Sequence, residues 1–497
     1  MSPSESPRSA PRLTPPSPDD AKRLRHFFQE SGYDLDTLRG GLGFSDLASF
    51  RVRKYLLSRA TDPSRIDVIV QWFTCGMAAS ASVAGRTIPA WVIELCESCG
   101  LLVREGDSLR PTAMLAPFED LLIASDPITK LETDASDLIV WPNATTNQMS
   151  NAAIPQSGGA VLDLGCGTGA LSVSAAPKSK SVTATDLNPR AAGFTVFNAR
   201  LNGAGEIETL TGDCYDPVAG RAFDLILCNP PFFLTPSTGL LYCENPMELD
   251  LFARRLMRAA PAHLNEGGFF QMLFEWVELA GTPWRERLGE WADGLGCDVW
   301  IVKTYTMTPI AYGKERYSQR PGTQEANDAA FADWIAYYQQ RRIEAVHGGF
   351  VALRRRTGKN WIRMEDDATV TLAHPVGELI LEGFAAQDLI ESPDEILSAA
   401  KLRLHDRARL RQFLRREGAK WTQSGLALTA PGAFGRELEV QPLVAEFVRQ
   451  FDGARTLREL ILDLAERVDA DRERVASECI DITRKLLERG FLARAIE

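Results

Sequence analysis

The stretch VLDLGCGTGALS, from Val161 to Ser172, decides the fold of this chain. Its apolar first half is typical of a buried strand, and Asp163 stands near the end of that strand. Gly165, Gly167 and Gly169 then predict a tight turn before a helix, because glycine lets the backbone approach a ligand closely. The spacing G-x-G-x-G differs from the G-x-G-x-x-G that places a pyrophosphate on a helix N-terminus.

The segments that follow alternate between strand and helix up to about Arg356. The strand patterns are AVLDLG, SVTATD, IETLTG, FDLILC, GGFFQMLFEW, CDVWIVKTY and GGFVALRRR. Strands separated by helical segments predict an α/β fold, in which a parallel, doubly wound sheet carries helices on both faces. We therefore expect a Rossmann-like sheet of seven strands, with the last two strands forming an antiparallel edge.

Acidic residues stand at the ends of the second and third of these strands. SVTATD ends at Asp186, which can accept hydrogen bonds from both hydroxyls of a ribose. Asn188 caps the next helix, and Pro189 fills its first turn. Asp213 follows the third strand, where an acid can meet an adenine amino group. Three successive strands that end in a glycine turn or an acid predict a site for S-adenosylmethionine.

The fourth strand pattern runs into Asn229-Pro230-Pro231-Phe232. Two prolines hold the backbone rigid and remove two amide donors. The Asn229 carboxamide oxygen and the Pro230 carbonyl can both accept from an NH2 group, and Phe232 offers a flat face for stacking. Amide and aryl amines are poor nucleophiles, so aligned acceptors that favour a developing positive charge suit methyl transfer to such a nitrogen. We predict that these four residues are catalytic and that no general base is required.

The order of these motifs resembles that of the class I "small-domain" methyltransferases with an NPPY or NPPF tetrapeptide. That group includes release-factor glutamine, ribosomal RNA guanine-N2 and adenine-N6 methyltransferases, and the resemblance covers roughly residues 139–356. It implies that Asp163 and the three glycines line the methionine part of the cofactor, that Asp186 holds the ribose and that Asp213 holds the adenine. The predicted cofactor-binding residues are Asp163, Gly165, Cys166, Gly167, Gly169, Asp186, Asn188, Asp213, Cys214 and Asn229.

The sequence departs from the resemblance at several positions. The glutamine enzymes usually have tyrosine where this chain has Phe232, and the guanine-N2 enzymes usually have histidine at the position of Phe233. The segment WPNATTNQM loosely matches the family's P-x-x-T region, so Pro142, Thr145 and Thr146 would close over the cofactor. The flanking regions resemble those of mainly bacterial members that carry an extra N-terminal helical domain.

Five segments are predicted along the 497 residues. They are a Ser- and Pro-rich disordered tail over 1–18, a helical winged-helix-like domain over 19–117, a linker and cofactor lid over 118–158, the methyltransferase domain over 159–368, and a second mainly helical, winged-helix-like domain over 369–497. In the first of the two flanking domains, one helix is predicted over 49–60 and a hairpin around Glu105–Ser108. In the second, Thr456 and Glu459 form a capping box.

Composition restricts the remaining functions. The net charge of -11 argues against a whole-protein electrostatic grip on nucleic acid, although it leaves room for a local basic groove. Nine cysteines without regular spacing argue against a disulfide framework and predict a cytoplasmic protein. Cys96 and Cys99 form a C-x-x-C without a second pair, which predicts buried thiols rather than a metal site. The longest uncharged stretch, Val68 to Gly85, is interrupted by polar residues and predicts a buried helix rather than a membrane span. Five scattered histidines predict no metal site.

Two basic clusters stand out against this acidic background. One is LRRRTGKNWIR, with Arg354, Arg355, Arg356, Lys359 and Arg363, and the other is KLRLHDRARLRQFLRREGAK, with Arg403, Arg407, Arg409, Arg411, Arg415 and Arg416. Solvated helical faces are the usual explanation of such clusters, and a rim that contacts phosphates is the functional one.

The sequence as a whole predicts an N-methyltransferase that acts on a macromolecule. Adenine N6 or guanine N2 of an RNA is the slightly favoured acceptor, because Phe232, Phe233 and the arginine clusters suit a stacked base. A glutamine side chain of a protein is the close alternative, which the net charge favours. A domain that binds the cofactor without catalysis, as a scaffold for partners, is a third alternative.

Overall fold

The computed structural model describes residues 13–38, 62–127, 129–130, 136–155, 157–236, 239–317, 324–430 and 436–495. Residues 1–12 of the predicted tail and the helix predicted over 49–60 lie outside these ranges. The chain divides into two compact units, the first made of Met1–Ser150 and Gln156–Asp366 and the second of Asn151–Pro155 and Asp367–Glu497. Each unit is described by itself.

The first unit begins with short helices and two hairpins. The helices are Pro18–Glu30, Arg65–Phe73, Ala81–Ala84 and Ala90–Ser98, and the strands are β1 (Ala79–Ser80), β2 (Leu102–Glu105), β3 (Ser108–Pro111), β4 (Met114–Phe118) and β5 (Leu121–Ser125). The hairpin predicted around Glu105–Ser108 is present as β2 and β3, and β1 pairs with β3. The second hairpin, β4 and β5, falls largely where the sequence predicted a linker.

The large sheet of the first unit has eight described strands, one more than predicted. They are β6 (Ala160–Leu164), β7 (Ser181–Asp186), β8 (Glu208–Thr211), β9 (Phe223–Cys228), β10 (Leu264–Leu279), β11 (Cys297–Met307), β12 (Ile343–Arg355) and β13 (Ile362–Asp366), in the order β13-β11-β12-β10-β9-β6-β7-β8. All seven predicted strands are present. The unpredicted β13 is short and half-exposed, so its sequence lacks the apolar run of a central strand.

The direction of the last strands differs in part from the prediction. β12 lies between β10 and β11 and is antiparallel to both, whereas β11 is parallel to β13. The predicted antiparallel pair of β11 and β12 therefore exists, but β13 covers the edge of the sheet beyond it. The remaining helices of this unit surround the sheet: Ala144–Ala152, which continues into the second unit, Ala170–Ala175, Pro189–Asn202, Leu251–Ala259, Trp284–Ala292, Pro309–Tyr317 and Gln324–Gln340.

The strand order reverses beside β6, and this reversal fixes where a ligand can bind. β6 pairs in parallel with β7 on one side and with β9 on the other. Helices that leave neighbouring strands at such a point turn to opposite faces, so a crevice opens beyond the carboxyl ends of the strands. The glycine turn after β6 and the tetrapeptide after β9 both face that crevice.

The second unit contains more strand than predicted. Its helices are Gly377–Ile390, Asp394–Ala399, Pro442–Val448, Leu457–Val468 and Arg472–Glu488, and its strands are β14 (Lys401–Leu404), β15 (Arg409–Glu417), β16 (Lys420–Ala430), β17 (Arg436–Glu439), β18 (Asp452–Thr456) and β19 (Leu492–Arg494). The predicted capping box at Thr456 and Glu459 is present. No helix in the described part of the chain is long and apolar enough to cross a membrane.

The second basic cluster lies largely on a strand, whereas the sequence predicted a helical face. The segment from Arg409 to Glu417 is a strand that turns at Gly418 and returns as β16. Arginines at 409, 411 and 415 fit a period of two, whereas those at 407, 411 and 415 fit a helical face. The left-handed φ of 63° at Gly418 suits a tight turn. The charge of this segment alone does not distinguish a strand from a helix.

Candidate active site

A cavity of about 770 Å³ lies at the carboxyl ends of β6, β7 and β9. Its volume is in the range typical of small-molecule and cofactor sites. The wall of this cavity includes thirteen of the sixteen predicted cofactor-binding, catalytic and lid residues: Gly165, Cys166, Gly167, Asp186, Asn188, Asp213, Cys214, Asn229, Pro230, Pro231, Phe232, Thr145 and Thr146. Pro142, Asp163 and Gly169 lie outside the lining.

The glycine turn presents bare backbone to the cavity. Gly165 has a φ of 79° and Gly167 a φ of 53°, both in the left-handed region that glycine tolerates. A Cβ atom at either residue would meet no described atom within 4 Å, because each position faces open space. A ligand can therefore approach the main chain here without displacing a side chain.

Gly169 and Asp163 lie outside the lining of the cavity and make contacts within the first unit instead. A Cβ on Gly169 would lie 2.6 Å from the Thr195 side chain, so the glycine allows close packing of the turn against the helix Pro189–Asn202. Asp163 is 1% exposed and accepts hydrogen bonds from the backbone N–H and the hydroxyl of Ser172, at 3.0 and 2.6 Å. Its carboxylate ties the strand to the helix that follows the turn.

Asp186 connects two segments of the cavity wall. One carboxylate oxygen accepts from the Gly167 N–H and the other from the Asn188 N–H, both at 2.8 Å. Burial raises the pKa of this carboxyl, and the backbone donors oppose that rise. A carboxylate has about four lone-pair sites, so acceptor capacity remains for further hydroxyl donors. Asn188 caps the next helix through the Arg190 N–H, as predicted.

Asp213 lies at the outer rim of the cavity. It forms an ion pair there with Arg255, a residue that the sequence did not predict at this site. The Cys214 thiol and the Arg255 guanidinium donate to its two oxygens at 2.9 and 2.8 Å. These donors lower the pKa of Asp213 and keep it ionised. Arg255 lies on the helix Leu251–Ala259 and lines the cavity as well. The alternation of strands and helical segments predicted a helix between the fourth and fifth strands, but it gave no sign of this ion pair.

In the tetrapeptide after β9, the Asn229 carboxamide has a hydrogen-bond partner for its nitrogen but not for its oxygen among the described residues. The Asn229 Nδ2 atom donates to the Thr145 hydroxyl at 3.2 Å. The Asn229 Oδ1 atom is buried and has no hydrogen-bond partner among the described residues. A buried acceptor without a donor is costly, so such an atom is suited to a donor supplied by a ligand. The sequence singled out Asn229, but it suggested Thr145 only as part of a lid.

The loop over 239–247 holds the tetrapeptide from the other side. The Asn245 side chain donates to the Pro231 carbonyl at 3.0 Å, and the Phe233 N–H donates to the Cys243 carbonyl at 3.0 Å. Neither contact uses the carbonyl of Pro230. This loop lines much of the cavity and no motif in the sequence predicted it.

A buried charge cluster supports the aromatic end of the tetrapeptide. The Arg316 guanidinium lies 4.5 Å from the centroid of the Phe233 ring and pairs with Glu275, which is 2% exposed. The hydroxyls of Tyr305 and Tyr312 also donate to Glu275, the first at 2.5 Å. Burial raises the pKa of the Glu275 carboxyl, and the charge of Arg316 opposes that rise. No motif in the sequence marks these four residues, because they come from three separate elements, β10, β11 and the helix Pro309–Tyr317.

The first basic cluster has a structural role. Arg354 and Arg356 donate to the Asp298 carboxylate, which is fully buried. Arg355 donates to the carbonyls of Pro261 and Leu264, at 2.7 and 2.8 Å. The predicted phosphate-contacting rim is therefore not formed by these three arginines, because their donors are used inside the first unit.

Burial disfavours the thiolate form of three cysteines that line the cavity. Burial raises the pKa of the Cys166 and Cys228 thiols far above neutrality and that of Cys214 to about 12. All nine cysteines are free, and Cys96 and Cys99 are buried. Across the described ranges, no group of three or more His, Cys, Asp or Glu side chains could hold a metal ion.

The central part of the chain is similar to known methyltransferases. Residues 146–277 match the family model "Methyltransferase small domain". A release factor glutamine methyltransferase of Xylella fastidiosa is 32% identical over 163 residues, which are 29% of this chain and 59% of that protein. The ribosomal RNA small subunit methyltransferase C of Escherichia coli is 37% identical over 137 residues, 27% of this chain and 36% of that protein.

The similarity is therefore partial on both sides. The chain spans 59% and 36% of the length of these two relatives. Among solved structures, the ribosomal protein L11 methylase of Lactobacillus delbrueckii subsp. bulgaricus is 19% identical and covers 43% of this chain and 78% of its own, with a TM-score of 0.25.

Proposed function

We propose that this chain transfers a methyl group from S-adenosylmethionine to a planar nitrogen of a macromolecule, because residues 146–277 match the family model "Methyltransferase small domain". The acceptor is an exocyclic amino or amide nitrogen. The nine free cysteines suit a reducing, cytoplasmic compartment.

The residues around the cavity fit the cofactor. Gly165 and Gly167 offer open backbone where a side chain would otherwise intrude, and Asp186 keeps acceptor capacity for ribose hydroxyls. Asp213, ionised beside Arg255, stands where it can accept from an adenine amino group. Bound there, S-adenosylmethionine supplies a methyl group activated by its sulfonium. Asp163 and Gly169 would contribute indirectly, by holding the turn.

The unpartnered Asn229 Oδ1 is the observation that carries the proposal. Thr145 holds the nitrogen of this carboxamide, so the oxygen is left to accept one N–H of the acceptor group. The Pro230 carbonyl accepts the other N–H, and Phe232 stacks on the planar group. In the transfer, the N–CH3 bond would form as the S–CH3 bond breaks and S-adenosylhomocysteine leaves, so positive charge would grow on the nitrogen. Asn229 Oδ1 and the Pro230 carbonyl would stabilise that charge, and the proton of the nitrogen would pass to solvent.

An RNA base is the acceptor that the site favours slightly over a glutamine side chain. Phe232 has no hydroxyl to bind a peptide group, and Phe233, fixed by Arg316, extends the aromatic surface. The relatives include a protein glutamine and a ribosomal RNA methyltransferase, so they support both acceptors equally. The protein glutamine N-methyltransferase reading is therefore kept as the alternative, and a non-catalytic scaffold as the third.

The test is to incubate the full chain and its Asn229→Ala variant with tritium-labelled S-adenosylmethionine and an extract from a strain that lacks the gene. We expect the wild type to label material that ribonuclease degrades, and the variant to bind the cofactor but transfer at least a hundredfold less, as in loss of an oriented polar group. Label that only protease removes would establish the glutamine alternative. Cofactor binding without any label would support the scaffold.

A further inference from the structure

The second basic cluster forms an exposed two-stranded arm. We call β15, β16 and the turn between them the basic hairpin (Arg409–Ala430). All nine residues of β15 are exposed, whereas Ala427 and Leu428, near the end of β16, are buried. The buried pair anchors the base of the hairpin, and the part around its turn extends into solvent. Both faces of β15 are thus open to a partner.

The charge of the hairpin is concentrated and only partly neutralised. Residues 407–420 contain six Arg or Lys and one Glu, a local charge of +5 in a chain whose net charge is -11. Arg411 pairs with Glu437 and Arg415 with Glu417, and both pairs are well exposed. For Arg407, Arg409, Arg416 and Lys420, no carboxylate of the described residues lies within ion-pair distance. Exposed pairs contribute little and exchange readily for another anion.

The residues alternate between two faces that differ in character. One face carries Arg409, Arg411 and Arg415. Neighbouring positions on this face are roughly 6.5 Å apart, the length of two strand residues, and Phe413 occupies the position between Arg411 and Arg415. Phe413 itself lies over Gly425, its cross-strand neighbour. The other face pairs Arg416 with Trp421, whose side chain is 66% exposed. A row of guanidinium groups thus lies back to back with an arginine–tryptophan pair.

We propose that the basic hairpin binds a single-stranded segment of RNA. Guanidinium groups donate to phosphates in a fork, and a row of them along a strand follows a sugar–phosphate backbone. An exposed tryptophan beside an arginine offers a surface on which an unpaired base stacks. Gln412 and Gln423, which bond to each other on the same face as Trp421, add donors and acceptors for base edges. An acidic protein segment would satisfy the charges but leave Trp421 without a stacking partner.

This inference goes beyond methyl transfer, since the hairpin can bind RNA whichever nitrogen is the acceptor. The test is fluorescence anisotropy of a labelled, unstructured 20-nucleotide RNA with the full chain, without cofactor, over a range of salt concentrations. The variant is Arg411→Gln/Arg415→Gln/Arg416→Gln. The matched control, Arg467→Gln/Arg472→Gln/Arg474→Gln, removes the same charge from exposed, ion-paired arginines of the two C-terminal helices.

We expect the affinity of the hairpin variant for RNA to be lower by roughly tenfold or more. The slope of log K against log salt should also become shallower by about 2, because each of the three lost phosphate contacts accounts for roughly 0.7. The control should change affinity less than twofold. Trp421→Ala should weaken binding roughly tenfold with the slope unchanged, because stacking releases no counterions. Circular dichroism melting of each variant verifies the fold.

Three outcomes would overturn the proposal. The first is an equal loss of RNA affinity in the two triple variants, and the second is no RNA binding by the wild type at low salt. The third is that poly-glutamate of equal charge displaces the RNA while Trp421→Ala binds RNA with unchanged affinity. The Asn229→Ala variant should bind this RNA as the wild type does. Failure of the proposed methyl transfer and failure of RNA binding are therefore separate results.

Discussion

Thr145 and Asn229 are 84 positions apart, and the hydroxyl of the first accepts a hydrogen bond from the carboxamide nitrogen of the second at 3.2 Å. This contact determines which end of the carboxamide faces a ligand. With its nitrogen held by Thr145, Asn229 presents its oxygen, and an oxygen can accept from an amino group whereas the nitrogen cannot. We therefore infer that Thr145 is a positioning residue for the proposed reaction.

The first prediction concerns this hydrogen bond. Thr145→Ala should lower kcat roughly 2- to 10-fold, the range that corresponds to a net hydrogen bond of about 0.5–1.5 kcal/mol. Thr145→Ser keeps the hydroxyl and should restore most of the rate. Steady-state kinetics with the labelled acceptor, together with calorimetric cofactor affinities, would measure both. Equal loss in the Ala and Ser variants, or a loss explained entirely by weaker cofactor binding, would contradict the positioning role.

The second prediction separates two glycines of the same turn. Gly169→Ala should destabilise the protein by about 2–4 kcal/mol, because the new methyl group meets Thr195 at 2.6 Å and the φ of 73° is strained for alanine. Gly167→Ala adds its methyl group to open space and carries only the conformational cost of about 1–2 kcal/mol. Its main effect should be a loss of cofactor affinity.

Urea denaturation and isothermal calorimetry of the two variants measure this contrast directly. The assignment of Gly167 to the cofactor cradle is wrong if its variant binds S-adenosylmethionine as tightly as the wild type does. The assignment of Gly169 to packing is wrong if its variant is the more stable of the two.

The third prediction concerns the pair of Arg316 and Glu275. Arg316→Ala leaves a buried carboxylate without its cation, which typically costs about 3–5 kcal/mol. The double variant Arg316→Met/Glu275→Gln removes both charges and should be more stable than Arg316→Ala alone. Arg316→Lys keeps the charge but not the flat group over Phe233, so it should raise the KM for the acceptor more than it lowers stability.

A double-mutant cycle over Arg316 and Glu275, followed by chemical denaturation, measures the coupling between them. Additive effects of the two single substitutions would mean that the two side chains do not interact in the folded protein. Unchanged KM in Arg316→Lys would mean that Phe233 does not contact the acceptor.

The sequence predicted the parts of the site that depend on local pattern. Apolar runs mark the strand before Gly165 and the strand before Asn229. The glycines and prolines that follow these strands set the backbone conformation within a few residues, so their effect can be predicted from local sequence. Parallel strands then bring their carboxyl ends together, so the common location of Gly165, Asp186 and Asn229 follows from the fold class alone.

The rest of the site depends on contacts between distant elements. Arg316 reaches Glu275 across 41 positions, and nothing near either residue distinguishes it from a solvated charge. The place of Asp163 in the motif predicts a ligand residue. The orientation of its carboxylate depends on the hydrogen bond from Ser172, which the motif does not reveal. The basic hairpin was misassigned for a related reason: its alternation of arginines agrees with two periods, and the strand that pairs with it decides between them.

The fourth prediction concerns Asp163 and pH. Burial raises the pKa of its carboxyl from 3.8 to about 6, although the donors of Ser172 oppose that rise. Between these two values the folded protein holds a proton that the unfolded chain has lost, so the contribution of Asp163 to stability falls as the pH rises from about 4 to about 6. A shift of this size corresponds to at most about 3 kcal/mol.

Asp163→Asn removes this titration, because an amide is neutral throughout the range. The difference in unfolding free energy, wild type minus variant, should therefore decline from pH 4 to pH 6 and stay level at higher pH. Asp107 provides a control of opposite sign, since hydrogen bonds from Ser80 and Ser82 lower its pKa and its contribution is lost as the pH falls. Urea denaturation at half-unit pH steps measures both. A difference for Asp163→Asn that rises with pH would mean that the buried carboxylate is held as an ion, with its pKa below 3.8 rather than near 6.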